Sequence, residues 1–456
     1  MKLDLSGVKI GDRAFSNQPM SFVEPGIKKF LSDIIDLVAL ETGNKTAREN
    51  WQQKQVQNLL NHAASRSNFW KKRIGARNIN NVQLSDLPIL TRSDVIGQTA
   101  AEGSLINPQT GLRVKQHSSS GSSGKPVQFY ASEMNASYNV IRTVAQYFVE
   151  GLPLEDNVTQ FSFSNSPALQ GFSVTRNDSW CGFLNPLFST GKFKKIEYRN
   201  PDLNSLHQEL KADPIGYLIC APWTAELLTQ DIGIEELKSA GLKLWIALSE
   251  SPSRQLRDKF VSAGIPVRTN YSTEETGVIG WECESAPLNF HIVTSNVIVE
   301  VSEDEDLRIG TEKVGSVLVT HLHSYATPFI RYDVGDLGTL NKSCICGHDG
   351  PTLKNLHGRT KSLIKHRDGR ISPFYLNTAQ IEARKRIAEY RIRQTDLGTL
   401  VVEIVGKPDI SPEDVASFQK QIGAIAGDDL TIELRLVESI DWGNSKKRLG
   451  FHCDVL

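Results

Sequence analysis

The chain has 456 residues and a net charge of −1, with 39% hydrophobic and 23% charged residues. Its length predicts two or three domains rather than one core. The near-neutral charge argues against nucleic-acid binding, because no excess of Lys and Arg is available to displace counterions.

The sequence also predicts where the protein works. No run of eighteen apolar residues predicts a transmembrane helix, and the N-terminus lacks the apolar core of a signal peptide. Six cysteines in so long a chain do not make a disulfide framework, so we expect a cytoplasmic protein without a membrane partner. The sequence leaves the oligomeric state open, with a homodimer as the alternative to a monomer.

The first two thirds of the chain predict an α/β fold. Apolar residues at helical spacing predict helices over residues 24–75, and a strand-like piece with a helix N-cap follows at 87–94. From 127 to 300, short apolar runs alternate with amphipathic stretches, which is typical of βαβ units with parallel strands. The clearest examples are strands at 216–221 and 242–248, with helices at 225–228 and 234–240.

The character of the sequence changes after about residue 290. Strands at 297–301 and 315–320 follow without long helices between them, which predicts a β-rich lobe. We place a domain boundary at Gly358, giving an N-terminal domain of residues 1–358 and a small α+β domain of residues 359–456. For the second domain the sequence predicts a helix at 377–389, a strand at 399–405, a helix at 411–426 and a strand at 430–437.

The most distinctive segment is a loop of small residues and one lysine. Such a loop leaves backbone N–H groups unobstructed and can surround a phosphate. It is not a P-loop, because Ser119 stands at the first glycine position and Pro126 replaces the magnesium-binding hydroxyl. Read alone, it could equally be a flexible linker. The segment consists of Ser118, Ser119, Ser120, Gly121, Ser122, Ser123, Gly124, Lys125 and Pro126.

Three later segments bear on that choice. Residues 270–277 follow a short strand, and open α/β sheets bind ligands at loops that follow the carboxyl ends of their strands. The alternative interpretation of this segment is the solvent-exposed, acidic first turn of a helix. Asp336 lies at a turn after an apolar strand and could accept both hydroxyls of a ribose. Residues 356–361 form a basic turn, and both of these could be ordinary turns.

Taken together and in this order, the four segments resemble the adenylate-forming superfamily of acyl-CoA synthetases, adenylation domains and luciferases. The similarity spans most of the chain, and among its branches the phenylacetate–CoA ligases are the most similar. It includes residues 87–92 and the piece Ser249, Glu250 and Ser251, which in that family contributes to the adenine pocket.

The resemblance implies a role for each segment. The serine loop would close over the phosphates of ATP, Tyr271 would lie along the adenine, and Glu275 would bind Mg²⁺. Asp336 would bind the ribose with Arg359 nearby, and Lys361 sits where the family has its interdomain hinge. The remaining nucleotide-site candidates are Asn270, Ser272 and Glu274.

The chain departs from the family pattern at three places. Ser272 replaces a glycine, and Glu274 replaces a Ser or Thr, so either glutamate could bind Mg²⁺. The family also has one lysine near the C-terminus that reaches the adenylate phosphate. Here Lys446 and Lys447 compete for that role, with Lys446 favoured, and the alternative is an exposed basic tail.

A second metal site is predicted from cysteine and histidine. Cys344 and Cys346 form a C-x-C pair, and with Cys283 and His291 they would complete the Cys₃His set of a structural zinc site. Members of the resembled branch often have such residues at these places. His348 is the reserve ligand. The alternative is a set of reduced thiols and unrelated core residues.

The sequence therefore predicts an adenylate-forming ligase with a mobile C-terminal lid. It would use MgATP to convert a small-molecule carboxylic acid to an acyl-adenylate, and then form a thioester with coenzyme A. Transfer to an amine, hydroxyl or protein thiol is the alternative, and a degenerate relative that only binds nucleotide is another. The acid is not readable, although aromatic residues in the region of the family's acyl pocket would suit a planar acid unless they are core residues: Phe161, Phe163, Trp180, Phe183 and Phe188.

Overall fold

The computed structural model describes residues 24–119, 126–164, 166, 168–199, 201–302, 307–309, 312–357, 363–374, 386–441 and 451–455. The helices are α1 Pro25–Thr42, α2 Lys45–Arg66, α3 Asn68–Ile74, α4 Arg92–Glu102, α5 Glu133–Val149, α6 Leu203–Ala212, α7 Pro222–Asp231, α8 Ile234–Ser239, α9 Arg254–Ser262 and α10 Pro412–Ala426.

The strands of the N-terminal two thirds are β1 Val114–Ser118, β2 Gln128–Ser132, β3 Val158–Phe163, β4 Gly171–Asn177, β5 Phe193–Arg199, β6 Gly216–Cys220, β7 Leu242–Ala247, β8 Val267–Thr273, β9 Gly277–Glu282, β10 Phe290–Ile292 and β11 Val297–Val301. The later strands are β12 Arg308–Ile309, β13 Glu312–Lys313, β14 Gly315–His321, β15 Tyr332–Asn341, β16 Thr352–Lys354, β17 Leu363–Lys365, β18 Ile371–Pro373, β19 Ile387–Asp396, β20 Thr399–Gly406, β21 Thr431–Leu436 and β22 Phe451–Cys453.

Three helices begin the described chain, as the apolar spacing predicts. Asn44 caps α2 by accepting from the Ala47 amide, and Ser67 caps α3 in the same way. The predicted strand-like piece at 87–94 is instead an isolated bridge between Leu90 and Tyr332, after which Thr91 caps α4. Leu87 and Leu90 are fully buried in the core that this bridge closes.

A 12-stranded sheet forms the centre of the molecule, in the order β11-β14-β15-β16-β10-β9-β8-β7-β6-β3-β5-β4. Strands β5, β3, β6, β7 and β8 run parallel, and helices α6 to α9 connect them, which confirms the predicted βαβ units. Their apolar side chains pack into one core beneath these helices. The carboxyl ends of the parallel strands therefore meet at one edge.

The second half of the sheet is antiparallel and contains the predicted strands near 297–301 and 315–320. These strands do not form a separate sheet, since β8 pairs in parallel with β7 and in antiparallel fashion with β9. The predicted β-rich region is thus a continuation of the α/β sheet. The predicted α/β class with a β-rich part is confirmed.

The C-terminal part contains two small sheets. Strands β21-β20-β19-β22 pack against α10 around Phe418 and Ile422, so the predicted strand–helix–strand from 399 to 437 is confirmed. The predicted helix at 377–389 is wrong at its end, because 387–389 belong to β19, and residues 375–385 lie outside the described residues. The other sheet pairs β12 with β18, on either side of residue 358.

Within the described ranges, no helix is both long enough and apolar enough to cross a membrane.

Candidate active site

The strand β8 positions the central candidate residues. Its first half continues the parallel sheet, and its second half pairs with β9 from Asn270↔Trp281 to Thr273↔Gly277. The predicted loop at 270–277 is therefore wrong for its first four residues, because cross-strand hydrogen bonds extend the strand through Thr273. The turn holds Glu274, Glu275 and Thr276, and the Thr273 hydroxyl accepts from the Thr276 amide at 3.1 Å.

The two glutamates of this turn occupy different environments. Glu274 is exposed, whereas Glu275 is buried and its Oε1 lies 3.4 Å from the Tyr332 hydroxyl. The buried His321 ring lies next to the Glu275 backbone. The turn therefore directs one carboxylate inward and the other to solvent.

Tyr271 and Asp336 form a buried pair beside this turn. The Tyr271 hydroxyl donates to Asp336 Oδ2 at 2.7 Å, although 65 residues separate them. Asp336 does not lie at a turn after a strand, as predicted, but inside β15. There the pairing register shifts, so that residues 334–336 face the single residue Val317. This bulge re-aims the Asp336 side chain toward β8.

The predicted adenine segment lies at the same sheet edge. Ser249, Glu250 and Ser251 directly follow β7, and β7 and β8 are paired up to Ala247↔Thr269. Ser249 has φ +71°, a left-handed conformation that is uncommon for a residue with a side chain. Such conformations concentrate at functional sites. The segment is thus beside Asn270 and Tyr271.

The serine loop connects the two strands of one hairpin. Strands β1 and β2 pair from Val114↔Ser132 to Ser118↔Gln128. Beyond them, the Ser119 amide donates to the Val127 carbonyl at 2.9 Å, and the Val127 amide donates to Ser119 Oγ at 3.0 Å. Since both ends belong to one hairpin, the segment is not a linker between domains.

Several predicted site residues lie outside the described residues, and the structure places none of them. They are Ser120, Gly121, Ser122, Ser123, Gly124, Lys125, Arg359, Lys361, Lys446 and Lys447.

The four predicted zinc ligands come together. Their ligand atoms all lie within 4.8 Å of one another. Cys344 Sγ is 3.7 Å from Cys283 Sγ, and Cys346 Sγ is 3.3 Å from His291 Nε2. Gly347, with φ +91°, closes the C-x-C turn by donating its amide to the Cys344 carbonyl at 3.1 Å. The cluster links the end of β9 to the loop after β15.

Protonation in this cluster follows from burial. Burial and the neighbouring His348 lower the pKa of His291 to about 4, so its imidazole is neutral at pH 7. Burial and the adjacent thiols raise the pKa of Cys283 to about 12. His348 stacks on His291 with ring centroids 4.1 Å apart and supports that ring from outside the four-ligand set.

The predicted aromatic pocket residues mostly belong to the core. Phe161 and Phe188 are buried in two apolar clusters, and Trp180 packs on Tyr147 while its indole donates to the Leu154 carbonyl. The Phe183 side chain lies outside the described atoms. Trp180 and Phe163, which lies at the carboxyl end of β3, are partly exposed.

Sequence reasoning missed a polar layer beneath the glutamate turn. It contains Arg142 and Asn139 of α5, together with His321 and His323. Burial lowers the pKa of both histidines, that of His323 to about 4. The pattern of α5 alone did not single out Arg142, because an arginine on an amphipathic helix is most often exposed.

Solved structures of 2-hydroxyisobutyryl-CoA ligase are similar to this chain. The structure in the postadenylation state in complex with 2-HIB-AMP has a TM-score of 0.64 at 17% identity, covering 91% of this chain and 91% of that chain. An open conformation in complex with 2-HIB-AMP and CoA has a TM-score of 0.56 at 17% identity, covering 92% of this chain and 93% of that chain. The sequence matches no family model and no curated protein. The chain therefore has the fold of 2-hydroxyisobutyryl-CoA ligase, which agrees with the fold expected from the motifs.

Proposed function

We propose that this protein is an ATP-dependent, adenylate-forming ligase that activates a carboxylic acid. The observation that supports this most is the Tyr271–Asp336 pair beside the buried Glu275, at the carboxyl edge of the sheet. Open α/β sheets bind ligands at this edge. The similar 2-hydroxyisobutyryl-CoA ligase structure contains an acyl-adenylate, 2-HIB-AMP, which fits this function. Within the superfamily we assign the chain to the phenylacetate–CoA ligase branch on its motifs alone.

The first half-reaction requires positioning more than acid–base chemistry. A carboxylate oxygen of the acid attacks the α-phosphorus of ATP, and the bond to pyrophosphate breaks. In our proposal Tyr271 lies along the adenine and Asp336 accepts the ribose hydroxyls. The loop of residues 118–126, with Lys125, surrounds the departing pyrophosphate. Backbone amides and an ammonium suit that developing charge.

Glu275 fits the role of a magnesium ligand. It offers carboxylate oxygens, which Mg²⁺ prefers, and its burial in the turn fixes their direction. When bound, the metal would neutralise charge on the phosphates. Glu274 is exposed, and we therefore assign the role to Glu275.

Coenzyme A is the acceptor that we propose for the second half-reaction. The CoA thiol sulfur would attack the acyl carbonyl, and AMP would leave. Support comes from 2-hydroxyisobutyryl-CoA ligase, which has been solved with 2-HIB-AMP and CoA in the thioesterification state (TM-score 0.55, 17% identity). An amine, hydroxyl or protein thiol remains the alternative acceptor, and CoA-dependent release of AMP separates these cases.

We also propose that the C-terminal residues 359–456 form a mobile lid over the nucleotide site. We propose Lys446 as the residue that reaches the adenylate phosphate, with Arg359 and Lys361 near the ribose and the hinge. If this assignment holds, Lys446→Ala slows adenylate formation at least 100-fold. Lys447→Ala is the matched control and stays within threefold of the parent.

ATP–pyrophosphate exchange with a panel of carboxylic acids tests the function. We expect exchange with at least one acid, and a loss of at least 100-fold in Glu275→Gln and Lys125→Ala. Glu274→Gln is the control for the neighbouring carboxylate and should stay within fivefold. Tight ATP binding without exchange for any acid would instead indicate a relative that only binds nucleotide.

We further propose that Cys283, His291, Cys344 and Cys346 hold a structural Zn²⁺. With Zn–S bonds of about 2.3 Å, the edge of a tetrahedron is about 3.8 Å, and the Cys283–Cys344 separation of 3.7 Å fits it. Four protein ligands leave no open position for catalysis. All six cysteines are free thiols, which also suits the cytoplasmic location that we propose.

Elemental analysis of metal-replete protein tests the zinc site. We expect about one zinc per chain, and less than 0.2 in Cys283→Ser. Cys181→Ser is the matched control, because Cys181 is buried in a separate apolar cluster. Zinc well below one equivalent in the parent protein would contradict this assignment.

A further inference from the structure

Arg142 lies beside the glutamate turn and is almost entirely buried, with 4% of its surface exposed. It belongs to α5, whose neighbouring residues Ile141, Val144 and Ala145 pack into an apolar core. A Cβ atom placed on Gly277, the first residue after the turn, would stand 3.9 Å from Arg142 Nη1. The guanidinium therefore reaches the same turn that carries Glu275.

The described residues occupy only some of the hydrogen-bond donors of the guanidinium. Its one hydrogen bond to a described residue runs from Nη1 to Asn139 Oδ1, at 2.9 Å. Nε has no partner among the residues that the structure describes. The Nη1 group stands on the Cδ side of the guanidinium, so the opposite edge, formed by Nε and Nη2, keeps its donors. That edge is the one that binds a carboxylate in bidentate fashion.

No described carboxylate forms a salt bridge with Arg142. The acidic residue with the largest effect on the pKa of Arg142 is Glu41. The Glu41 carboxylate accepts hydrogen bonds from the Ser295 amide at 2.7 Å and from the Thr294 hydroxyl at 3.0 Å. Both of its oxygens are therefore bound by the segment that contains Thr294 and Ser295. Glu275 Oε1 lies instead beside the Tyr332 hydroxyl.

A buried and unpaired guanidinium is costly. Removing a charge from water costs several kcal/mol, and a protein recovers this only by pairing the charge. Burial lowers the pKa of Arg142 to about 10, so the group still carries its charge at neutral pH. A Cβ atom on Gly277 would meet Asn139 Oδ1, Asn296 Nδ2 and Arg142 Nη1 at 3.6, 3.7 and 3.9 Å, so the Gly277 backbone lies on the Nη1 side of the guanidinium. The buried charge of Arg142 and its Nε, unpartnered within the described part of the chain, therefore favour binding of an anion at the Nε–Nη2 edge.

We propose that Arg142 binds a carboxylate of the acid substrate, and that the substrate is a dicarboxylic acid. This inference rests on the proposed activation of an acid. One carboxylate is activated, and the other stays on the Nε–Nη2 edge of Arg142. The activated group is not the one on Arg142, because bidentate pairing withdraws the electron density that attack on phosphorus requires. A single guanidinium also matches the one charge of a carboxylate better than the two of a phosphate.

Pairs of acids with equal chain length test the proposal by ATP–pyrophosphate exchange. Butanedioic and butanoic acid form one pair, and hexanedioic and hexanoic acid form another. For the parent protein we expect kcat/KM to be at least tenfold higher for the dicarboxylic member of the better pair. In Arg142→Gln that preference falls to less than threefold, mainly through a higher KM for the dicarboxylic acid.

Two variants separate the subsite from general effects. Arg142→Lys keeps the charge but loses the bidentate edge, and we expect an intermediate preference. Arg254→Gln removes an arginine that is 96% exposed and should change nothing. Preference for the monocarboxylic acids in the parent protein, or an equal effect of Arg142→Gln on both acids, would overturn the inference.

Thermal unfolding of the parent protein provides a readout that needs neither exchange nor a folded variant. We expect butanedioate or hexanedioate at millimolar concentration to raise the unfolding midpoint, and the matching monocarboxylate to leave it unchanged. No shift with either dicarboxylate refutes the subsite. A dicarboxylate shift without exchange for any acid supports the subsite and refutes the proposed ligase function.

Discussion

Replacing Arg257 with alanine is expected to destabilise the region around the glutamate turn strongly. Arg257 lies on α9, and its Nη2 donates to both carboxylate oxygens of Glu282, at 2.7 and 2.8 Å. The Glu282 side chain is 1% exposed and that of Arg257 is 12% exposed. Glu282 is the last residue of β9, so this ion pair joins α9 to the hairpin that carries Glu275.

The size of the effect follows from what remains after the substitution. Glu282 would keep one donor, the Leu288 amide at 2.7 Å, and would otherwise be a buried carboxylate without its countercharge. Breaking a buried ion pair from one side costs about 3–5 kcal/mol. With a urea m-value of about 2–3 kcal/mol per molar, the unfolding midpoint of this unit falls by about 1–2.5 M.

Urea unfolding followed by tryptophan fluorescence measures this shift. Arg254→Ala is the matched control, since Arg254 is on the same helix and its Asp258 partner is 4.0 Å away, with both side chains largely exposed. An exposed pair of this kind contributes about 0–1 kcal/mol. Equal midpoints for Arg257→Ala and Arg254→Ala would refute the reasoning from burial.

Two further predictions concern the hairpin base and the response to pH. Ser119→Ala removes the acceptor of the buried Val127 amide and should cost about 1–3 kcal/mol in urea unfolding, whereas the exposed Ser118→Ala should cost less than about 0.5 kcal/mol. His323 is buried, which lowers its pKa to about 4 against the opposing Ser295 carbonyl. As the pH falls, the unfolded chain is protonated at this histidine at a higher pH than the folded protein. The contribution of His323 to the free energy of unfolding is therefore complete above about pH 6.5, and it falls by up to about 3 kcal/mol as the pH drops to 4. His323→Gln should flatten that slope in pH-dependent unfolding, and an unchanged slope would contradict the assignment.

The sequence predicted the parallel half of the fold well because its signals are local. The strands β6 and β7 are short apolar runs, and each is followed by an amphipathic helix. The four zinc-type ligands were also predicted, since residue type and spacing limit the choices to few. For the strands the information lies within a few neighbouring residues, whereas the four ligands span residues 283–346 and were recognised by residue type.

Features that depend on distant pairing were not predicted. Residues 270–273 extend β8 only because β9 supplies the cross-strand partners, and Asp336 points toward β8 only because of a bulge opposite Val317. Arg142 could not be identified either. One arginine on an amphipathic helix is most often exposed, and its burial depends on the turn at 274–277, more than 130 residues away.

The bridge between Leu90 and Tyr332 has a consequence for synthesis of the chain. Leu90 donates its amide to the Arg331 carbonyl at 2.9 Å and accepts the Asp333 amide at 3.0 Å, so its partners lie about 240 residues later. At roughly 5–20 residues per second, a ribosome needs about 12–50 s to make the intervening chain. During that time Leu87 and Leu90, both fully buried in the finished protein, lack the half of their core that residues 271–353 supply. We therefore expect chaperones that hold apolar segments to bind this nascent chain around residues 84–92.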